Sequence, residues 1–374
     1  MEPAADEGLP LAGIVVLDLS RMLPGAVLAR QLVDLGARLI KVEEPGAGDP
    51  MRLVPPLVGG VGVGFAAMLR GAESVALDLR SPEGAERVRA LARRADVLVE
   101  SFRPGTLERW GLGSEALCAD NPRLVWCSLT SWGRTGQAAV LLGHDLNFMA
   151  ATGALAELGG ADVPGLQIAD IAGALLAGSA ILAALYDRER HGQGRVLDQP
   201  LAAGPLPFLT WAFAEASAGG GTERAQLLAG RCPCYRTYRC GDGVEIAVGA
   251  LEPKFWMALV QLLGVPELAA AGYDPGDEGA AAAARLAEIF SAEPGEHWLA
   301  LAAAHGLPVS PVRSAAEAVQ SAELADRLED TPVAGGGSLR TPGPLFGGLG
   351  RTPARPIGAV GEDTRKILEE FGVS

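Results

Sequence analysis

The sequence has no surplus of positive charge: 31 Lys and Arg stand against 45 Asp and Glu, a formal net charge of −14. A broad nucleic-acid surface needs clustered cations to displace counterions from phosphates, so no nucleic-acid partner is expected. An anionic ligand has to find a local basic patch. Nor does the chain open with a basic stretch followed by an apolar one. MEPAADEGLPLAG is acidic, which is not the order of a secretory signal, and a cytoplasmic protein is expected. Long apolar runs are missing too. The longest, Ile171 to Tyr186, is shorter than the roughly 20 residues that cross a bilayer and is rich in Ala and Gly, so a closely packed buried helix is expected and no membrane partner. Cysteine is sparse and odd in number, with Cys118, Cys127, Cys232, Cys234 and Cys240 reading as reduced thiols. Cys232-Pro233-Cys234 lacks the two-residue spacer of a zinc or thioredoxin pair, and only four histidines are present, so no metal is expected. No internal repeat is visible.

What is present is ordinary globular material. Hydrophobic residues make up 49% and charged ones 20% of 374 residues, enough to bury a core and longer than one core comfortably fills, so two domains are expected. An apolar β-branched run at Gly13 to Leu19 is followed by helical spacing over Gly25 to Gly36 and a second strand at Arg38 to Val42. The pattern recurs. Ser74 to Leu79 leads to a helix over Pro82 to Arg94, with Ser81 as N-cap and Pro82 at the first position, then strands at Val97 to Glu100 and Leu124 to Leu129. Such alternation calls for a mostly parallel sheet covered by helices, whose ligands sit beyond the strand C-termini. From about Asp170 a long Ala-rich helix runs to Arg190, and another spans Leu201 to Ala218 before a glycine-rich break at 219–221. Tyr235 to Val248 alternates like a hairpin around Gly241-Asp242-Gly243, with Ala-rich helices following to about Leu328. Gly335-Gly336-Gly337 and the Pro/Gly-rich run to Ile357 read as a returning linker ahead of a terminal helix at Glu362 to Phe371. The fold class is α/β, with a Rossmann-like large domain over 1–218 completed by 335–374 and a smaller α+β domain over 225–330.

Together the local motifs carry a family resemblance. Pro10-Leu11-Ala12-Gly13-Ile14-Val15-Val16-Leu17-Asp18-Leu19-Ser20, Leu35-Gly36-Ala37, Lys41-Val42-Glu43 and Pro45-Gly46 resemble the start of class III CoA-transferases, the carnitine and bile-acid type. Val75-Ala76-Leu77-Asp78-Leu79, Asp96-Val97-Leu98-Val99-Glu100, Arg103-Pro104-Gly105, Trp132-Gly133-Arg134-Thr135-Gly136 and Gly361-Glu362-Asp363-Thr364-Arg365 recur in family order. Within the family, Gly143-His144-Asp145-Leu146-Asn147-Phe148 resembles the racemase branch that acts on 2-methylacyl-CoA. Ile168-Ala169-Asp170 is similar to the aspartate common to both branches, and Gly249-Ala250-Leu251-Glu252-Pro253 to the racemase glutamate. The resemblance implies an acyl-CoA substrate, with CoA as part of the substrate and no separate cofactor. It implies CoA contacts at Arg103, Lys41 and Arg80, and an intertwined homodimer in which Glu252 comes from the partner copy.

The chemistry of such a reaction sets its own requirements. Racemising a 2-methylacyl thioester takes an α-proton from one face and returns one to the other, so two bases flank one carbon. His144 and Asp170 fill these roles, each at the start of a helical segment, where free N–H groups and the dipole favour neutral imidazole and ionised carboxylate. Plain structural readings stand beside these: His144 as a capped turn, Asp170 as an N-cap, Glu252 as a helix-start acid before an N1 proline, Arg103 as a loop cation. The competing enzyme is a CoA transferase, in which Asp170 attacks the acyl-CoA carbonyl and no histidine base is needed. Two departures from the family stand out. Arg70-Gly71-Ala72-Glu73-Ser74 carries an acid where relatives are basic, which puts nucleotide contacts there in doubt, and Gln199-Pro200 suggests that the following helix starts late or is reoriented.

Overall fold

Successive residues of an extended strand face opposite sides of a sheet, and this chain uses both sides for burial. Val16, Val97, Val99, Val125 and Cys127 join one apolar cluster, whereas Leu17, Leu98 and Trp126 join the other. Helices must therefore cover both faces. The computed structural model describes residues 8–158, 163–220, 227–349 and 355–373, in two compact units: Met1–Thr152 with Val163–Pro207 and Ala322–Ser374, and Gly153–Asp162 with Phe208–Ser321. This division differs from the expected boundaries. Residues 208–218 group with the second unit and 322–334 with the first. Of the glycine-rich break expected at 219–221 and the linker expected at 335–357, residues 221 and 350–354 lie outside the described residues.

The first unit contains β1 (Val15–Asp18), β2 (Arg38–Glu43), a short ribbon of β3 (Leu57–Val58) and β4 (Val61–Gly62), β5 (Glu73–Ala76), β6 (Val97–Glu100), β7 (Val125–Thr130) and β8 (Val196–Pro200). Apart from the ribbon these form one sheet, β5-β2-β1-β6-β7-β8, in which every neighbouring pair is parallel, as expected. Between them lie α1 (Met22–Asp34), α2 (Val63–Met68), α3 (Pro82–Ala92), α4 (Thr106–Arg109), α5 (Ser114–Asp120), α6 (Asp145–Thr152), then α7 (Ala154–Glu157) of the second unit, and α8 (Ile168–His191). Leu28 and Leu32 of α1 and Ala177 and Ile181 of α8 cover one face; Val88 and Leu91 of α3 and Leu117 of α5 cover the other. Ser81 caps α3 by accepting from Gly84 N at 3.0 Å, a bond worth about 1 kcal/mol.

Helix α8, at 24 residues, is long and apolar enough to span a bilayer by length and composition, which corrects the shorter run read from sequence. More than half of that stretch is buried within the protein. Gln31 of α1 donates to Ala174 O at 3.2 Å, and a Cβ on Gly178 would come within 2.5 Å of Gln31 Oε1, so any larger residue there would have to displace the Gln31 amide that ties the two helices. The next helix, α9 (Leu206–Ser217), starts five residues later than expected, after a 3₁₀ turn at Leu201–Ala203. Pro205 lacks the N–H that would continue the turn. The glycine run expected to be linker is instead the turn of a hairpin, β12 (Leu328–Pro332) with β13 (Ser338–Pro342). Gly335, Gly336 and Gly337 take φ of 86°, 99° and 89°, a left-handed path that L side chains resist. Arg30 of α1 holds this hairpin, donating to Pro342 O at 2.8 Å, while Arg70 pairs with Glu329 at 3.0 Å.

The second unit packs an antiparallel sheet, β9 (Tyr235–Arg239), β10 (Glu245–Gly249) and β11 (Val309–Pro311) in the order β11-β10-β9, against helices at Pro253–Leu262, Asp277–Phe290 and Gly295–Ala304. Trp256, Phe290, Ile246 and Val248 centre its core. Cys232, Cys234 and Cys240 are free thiols inside it, and burial pushes Cys234 up to about 11.

Candidate active site

In the sheet order, β1 lies between β2, which follows it in the chain, and β6, so the connections diverge to either side of the gap between β1 and β6. Ligands of such sheets bind at this gap, beyond the strand C-termini. A groove of about 250 Å³ opens beside it, lined by Leu19, Arg21, Glu44, Leu77, Arg80 and Phe102 among others. Arg21 bridges the gap, its N–H donating to Ser101 Oγ at 2.9 Å and its guanidinium lying 5.3 Å from the Phe102 ring centre. Arg80 lines the groove, exposed, and pairs with Asp78 at 3.0 Å and Glu44 at 2.6 Å. Arg103 follows β6 in the loop, exposed and without an ion pair among the described residues. These two arginines stand where an anionic ligand can reach them.

Lys41 does not. Its side chain is 1% exposed and its ammonium is held by Asp18 at 3.1 Å, Asp49 at 3.3 Å and Ser20 O at 2.5 Å. Burial of this kind demands a partner for each charge. The same Asp49 accepts from the amide of Met22, whose φ of +64° is strained for a residue with a side chain. Lys41 thus neutralises the carboxylates that fix the turn after β1, which corrects its assignment to CoA. The acid at position 73 is likewise structural. Glu73 starts β5, at the end remote from the groove, and pairs with Arg38 at 2.6 Å and Lys366 at 2.8 Å.

His144 and Asp170 are brought together in the first unit. His144 precedes α6, its carbonyl accepting from Asn147 and Phe148 and its N–H donating to Asn147 Oδ1 at 3.0 Å. With the backbone so fixed, the exposed imidazole is free of any capping duty. Asp170 is the third residue of α8 and not its N-cap, which is Gln167. Gln167 donates to Asp170 Oδ2 at 3.0 Å, and Asp145, the first residue of α6, accepts from the Asp170 amide at 3.0 Å. Burial, with the Asp145 charge added, pushes the Asp170 carboxyl up to about 6, and the Gln167 bond and His144 pull against this rise. A helix start was expected to favour the ionised form; desolvation and a like charge outweigh it here. A carboxyl titrating near 6 beside an imidazole can take or give a proton near neutral pH. Asp145 and Gln167 escaped the sequence reading, although Asp145 stands inside the quoted motif beside His144.

Glu252 belongs to the second unit. It is the N-cap of the helix Pro253–Leu262 without a side-chain cap bond, its carbonyl accepting from Phe255 and Trp256. Its carboxylate raises the Tyr273 phenol, after burial and Cys234. On the open face of this unit's sheet lies a cavity of about 730 Å³, lined by Leu228, Tyr235, Thr237, Ala247, Gly249 and Ser310 among others.

A family model described as CoA-transferase family III matches residues 11–355. The chain is 34% identical over 378 residues to alpha-methylacyl-CoA racemase of Homo sapiens, covering 98% of this chain and 94% of that one. It is 33% identical over 337 residues to acetyl-CoA:oxalate CoA-transferase of Acetobacter aceti, covering 87% and 86%. Among solved structures, a CAIB/BAIF family protein from Brucella suis superposes with a TM-score of 0.84 at 30% identity, covering 98% of this chain and all of that one.

Proposed function

The chain belongs to CoA-transferase family III, and from that premise we propose that it is a racemase of (R)- and (S)-2-methylacyl-CoA thioesters. The observation that carries the reading is the pairing of His144 with Asp170, two proton-transfer groups at adjoining helix starts, one of them raised to about 6. In one direction Asp170 takes the α-proton and the enolate is reprotonated by the imidazolium; in the other the roles reverse. Arg103 and Arg80 bind the phosphates of CoA, guanidinium to phosphate oxygen, at the strand C-termini. The branched acyl group places the activity in lipid metabolism. In D₂O the protein washes deuterium into the α-position of a 2-methylacyl-CoA while interconverting the epimers; no deuterium entry into any 2-methylacyl, bile-acyl or arylpropionyl thioester would sink the proposal.

A second reading rests on the near-equal likeness to an acetyl-CoA:oxalate CoA-transferase. There Asp170 attacks the thioester carbonyl and the CoA thiolate departs, leaving a mixed anhydride; the thiolate then attacks the Asp170 carbonyl, releasing the donor acid, and the CoA so held on Asp170 passes to a second carboxylate through a second anhydride. Hydroxylamine trapping of an acyl-enzyme after incubation with acyl-CoA favours this reading, and α-deuterium without trapping favours the first.

The assembly is proposed as a homodimer, with Glu252 supplied to the site by the partner copy. Phe208, Trp211 and Phe213 of α9 are exposed, Trp211 at 63%, an apolar surface suited to a second copy. Light scattering giving a stable monomer at micromolar concentration refutes the dimer. Mixed His144→Ala and Glu252→Ala copies regain activity if the glutamate crosses between chains, since one site of each mixed dimer is then intact.

A further inference from the structure

Asp145 and Asp170 are both buried, and neither pairs with a Lys or Arg among the described residues. Leaving two carboxylates so close without a Lys or Arg to pair them costs stability, and purely structural contacts are normally arranged to avoid that cost. What Asp145 does have, among the described residues, is one directed side-chain bond: it reaches from the first residue of α6 to the amide of Asp170, in the first turn of α8. α6 is also the helix that His144 leads. Resting on the proton-transfer reading above, we infer that Asp145 is a positioning residue: its carboxylate grips the Asp170 amide and fixes the start of α8 to the segment that carries His144.

The grip has an electrostatic companion. Asp145 is the like charge that, after burial, raises the Asp170 carboxyl, and His144 acts in the opposite sense. The other elements packed on α8 bring little competing charge to this end. Asp198 of β8 is committed to Thr130 Oγ1 and Arg134 N, and Arg30 and Asp34 of α1 pair with each other. β7 contributes only the buried Cys127 thiol, and the turn Leu201–Ala203 is apolar. One side chain therefore acts both on where the Asp170 backbone is held and, after burial, on how readily its carboxyl takes a proton.

The two duties separate in two variants. Asp145→Asn keeps an Oδ1 to accept the Asp170 amide and deletes the charge; Asp145→Ala deletes both. In α-deuterium exchange followed against pH, Asp145→Asn moves the acid limb of kcat/KM down by about one unit, the direction expected when a like charge is removed. Asp145→Ala lowers kcat by about ten- to a hundredfold with KM within a few-fold, as for a misplaced group. An acid limb unmoved in Asp145→Asn, or native kcat in Asp145→Ala, overturns the inference. Titration of [¹³Cγ]aspartate-labelled protein, with the Asp170 signal assigned by its loss in Asp170→Asn, gives the answer without catalysis. The Asp170 midpoint falls in Asp145→Asn, and an unmoved midpoint overturns the inference even if Asp145→Ala fails to fold. Absence of exchange in the native protein, with the midpoint still falling, refutes the racemase reading and leaves the Asp145 contact standing.

Discussion

Removing the imidazole of His144 tests the proposed chemistry with little risk to the fold. The side chain is exposed, and the start of α6 is held by the His144 backbone and the Asn147 side chain, all of which His144→Ala keeps. A positioned acid or base is worth roughly 10²–10⁴ in rate, so epimerisation should fall by that factor, equivalent to about 3–5 kcal/mol of barrier. In the proposed site Asp170 still faces the α-carbon from one side. It continues to exchange the proton of one epimer with solvent and returns it with retention, so deuterium enters without inversion.

The pH profile supplies an independent check on the same variant. On the proposed mechanism the active form carries one proton between His144 and Asp170, and the acid limb marks the arrival of a second. With Asp170 raised to about 6, activity is present above that value and is lost as the pH falls through it. The His144 cation lowers Asp170. Without it Asp170 holds its proton to higher pH, so the limb of the residual exchange moves up, opposite in sign to the shift expected of Asp145→Asn. Mass-spectrometric deuterium content and chiral separation of the hydrolysed acids, from pH 4.5 to 9, read both effects. Native epimerisation in His144→Ala, or a limb that moves down, refutes the reasoning.

Further outcomes follow from the buried charges and close contacts. Asp170 has a folded value near 6, above the 3.8 of an ordinary aspartate, so the folded protein binds its proton more tightly and loses stability as the pH rises from about 4 through 6. Asp170→Asn removes that cost, and its unfolding free energy at pH 7.5 should exceed the native one by on the order of 1–3 kcal/mol, with the gain gone below pH 4; equal unfolding free energies at pH 7.5 refute this. Lys41→Met strands the buried Asp18 and Asp49 carboxylates and should cost about 3–5 kcal/mol in urea unfolding, whereas Arg103→Ala should leave stability unchanged and raise KM for an acyl-CoA about tenfold, more at low salt. The reverse pattern would restore Lys41 as a ligand contact. Gly84→Ala in α3, a change that usually gains up to about 1 kcal/mol in a helix, should instead destabilise by about 1–3 kcal/mol, because the new Cβ would lie 2.0 Å from Asp78 O; a thermal melt at or above the native midpoint contradicts the contact.

Much of the first unit was legible because its signals are local. β-branched runs, the Ser81-Pro82 helix start and the alternation that divides Val16 from Leu17 each depend on a few neighbouring residues. The misreadings came where a residue's meaning depends on distant partners. Lys41 sits in a motif that looks like a ligand contact, but only the arrival of Asp18 and Asp49 on either side turns it inward. Gly335-Gly336-Gly337 has linker composition, and it is the pairing of Leu328 with Pro342 and of Pro332 with Ser338 that makes it a turn. Asp145 was overlooked because its partner is 25 residues away, across two helix starts. The candidate bases themselves were found through family likeness; local pattern alone reads both His144 and Asp170 as helix-start residues.

The choice between the two reactions turns on His144 and not on Asp170. A carboxylate titrating near 6 is about nine-tenths ionised at pH 7, so it is ready either to attack a thioester carbonyl or to remove an α-proton. Its raised value therefore suits both chemistries. What a transferase does not require is a second titrating group beside the first, because the mixed anhydride is formed and resolved at one carboxyl. An exposed imidazole coupled to that carboxyl, on a backbone already capped by Asn147, makes no side-chain hydrogen bond or ion pair among the described residues. The proposed racemisation would give it a use, since that reaction must return a proton to a carbon from which Asp170 has taken one, and His144→Gln, polar and close in size but unable to titrate, isolates that requirement: it should abolish epimerisation as fully as alanine does, whereas a transferase would retain its rate.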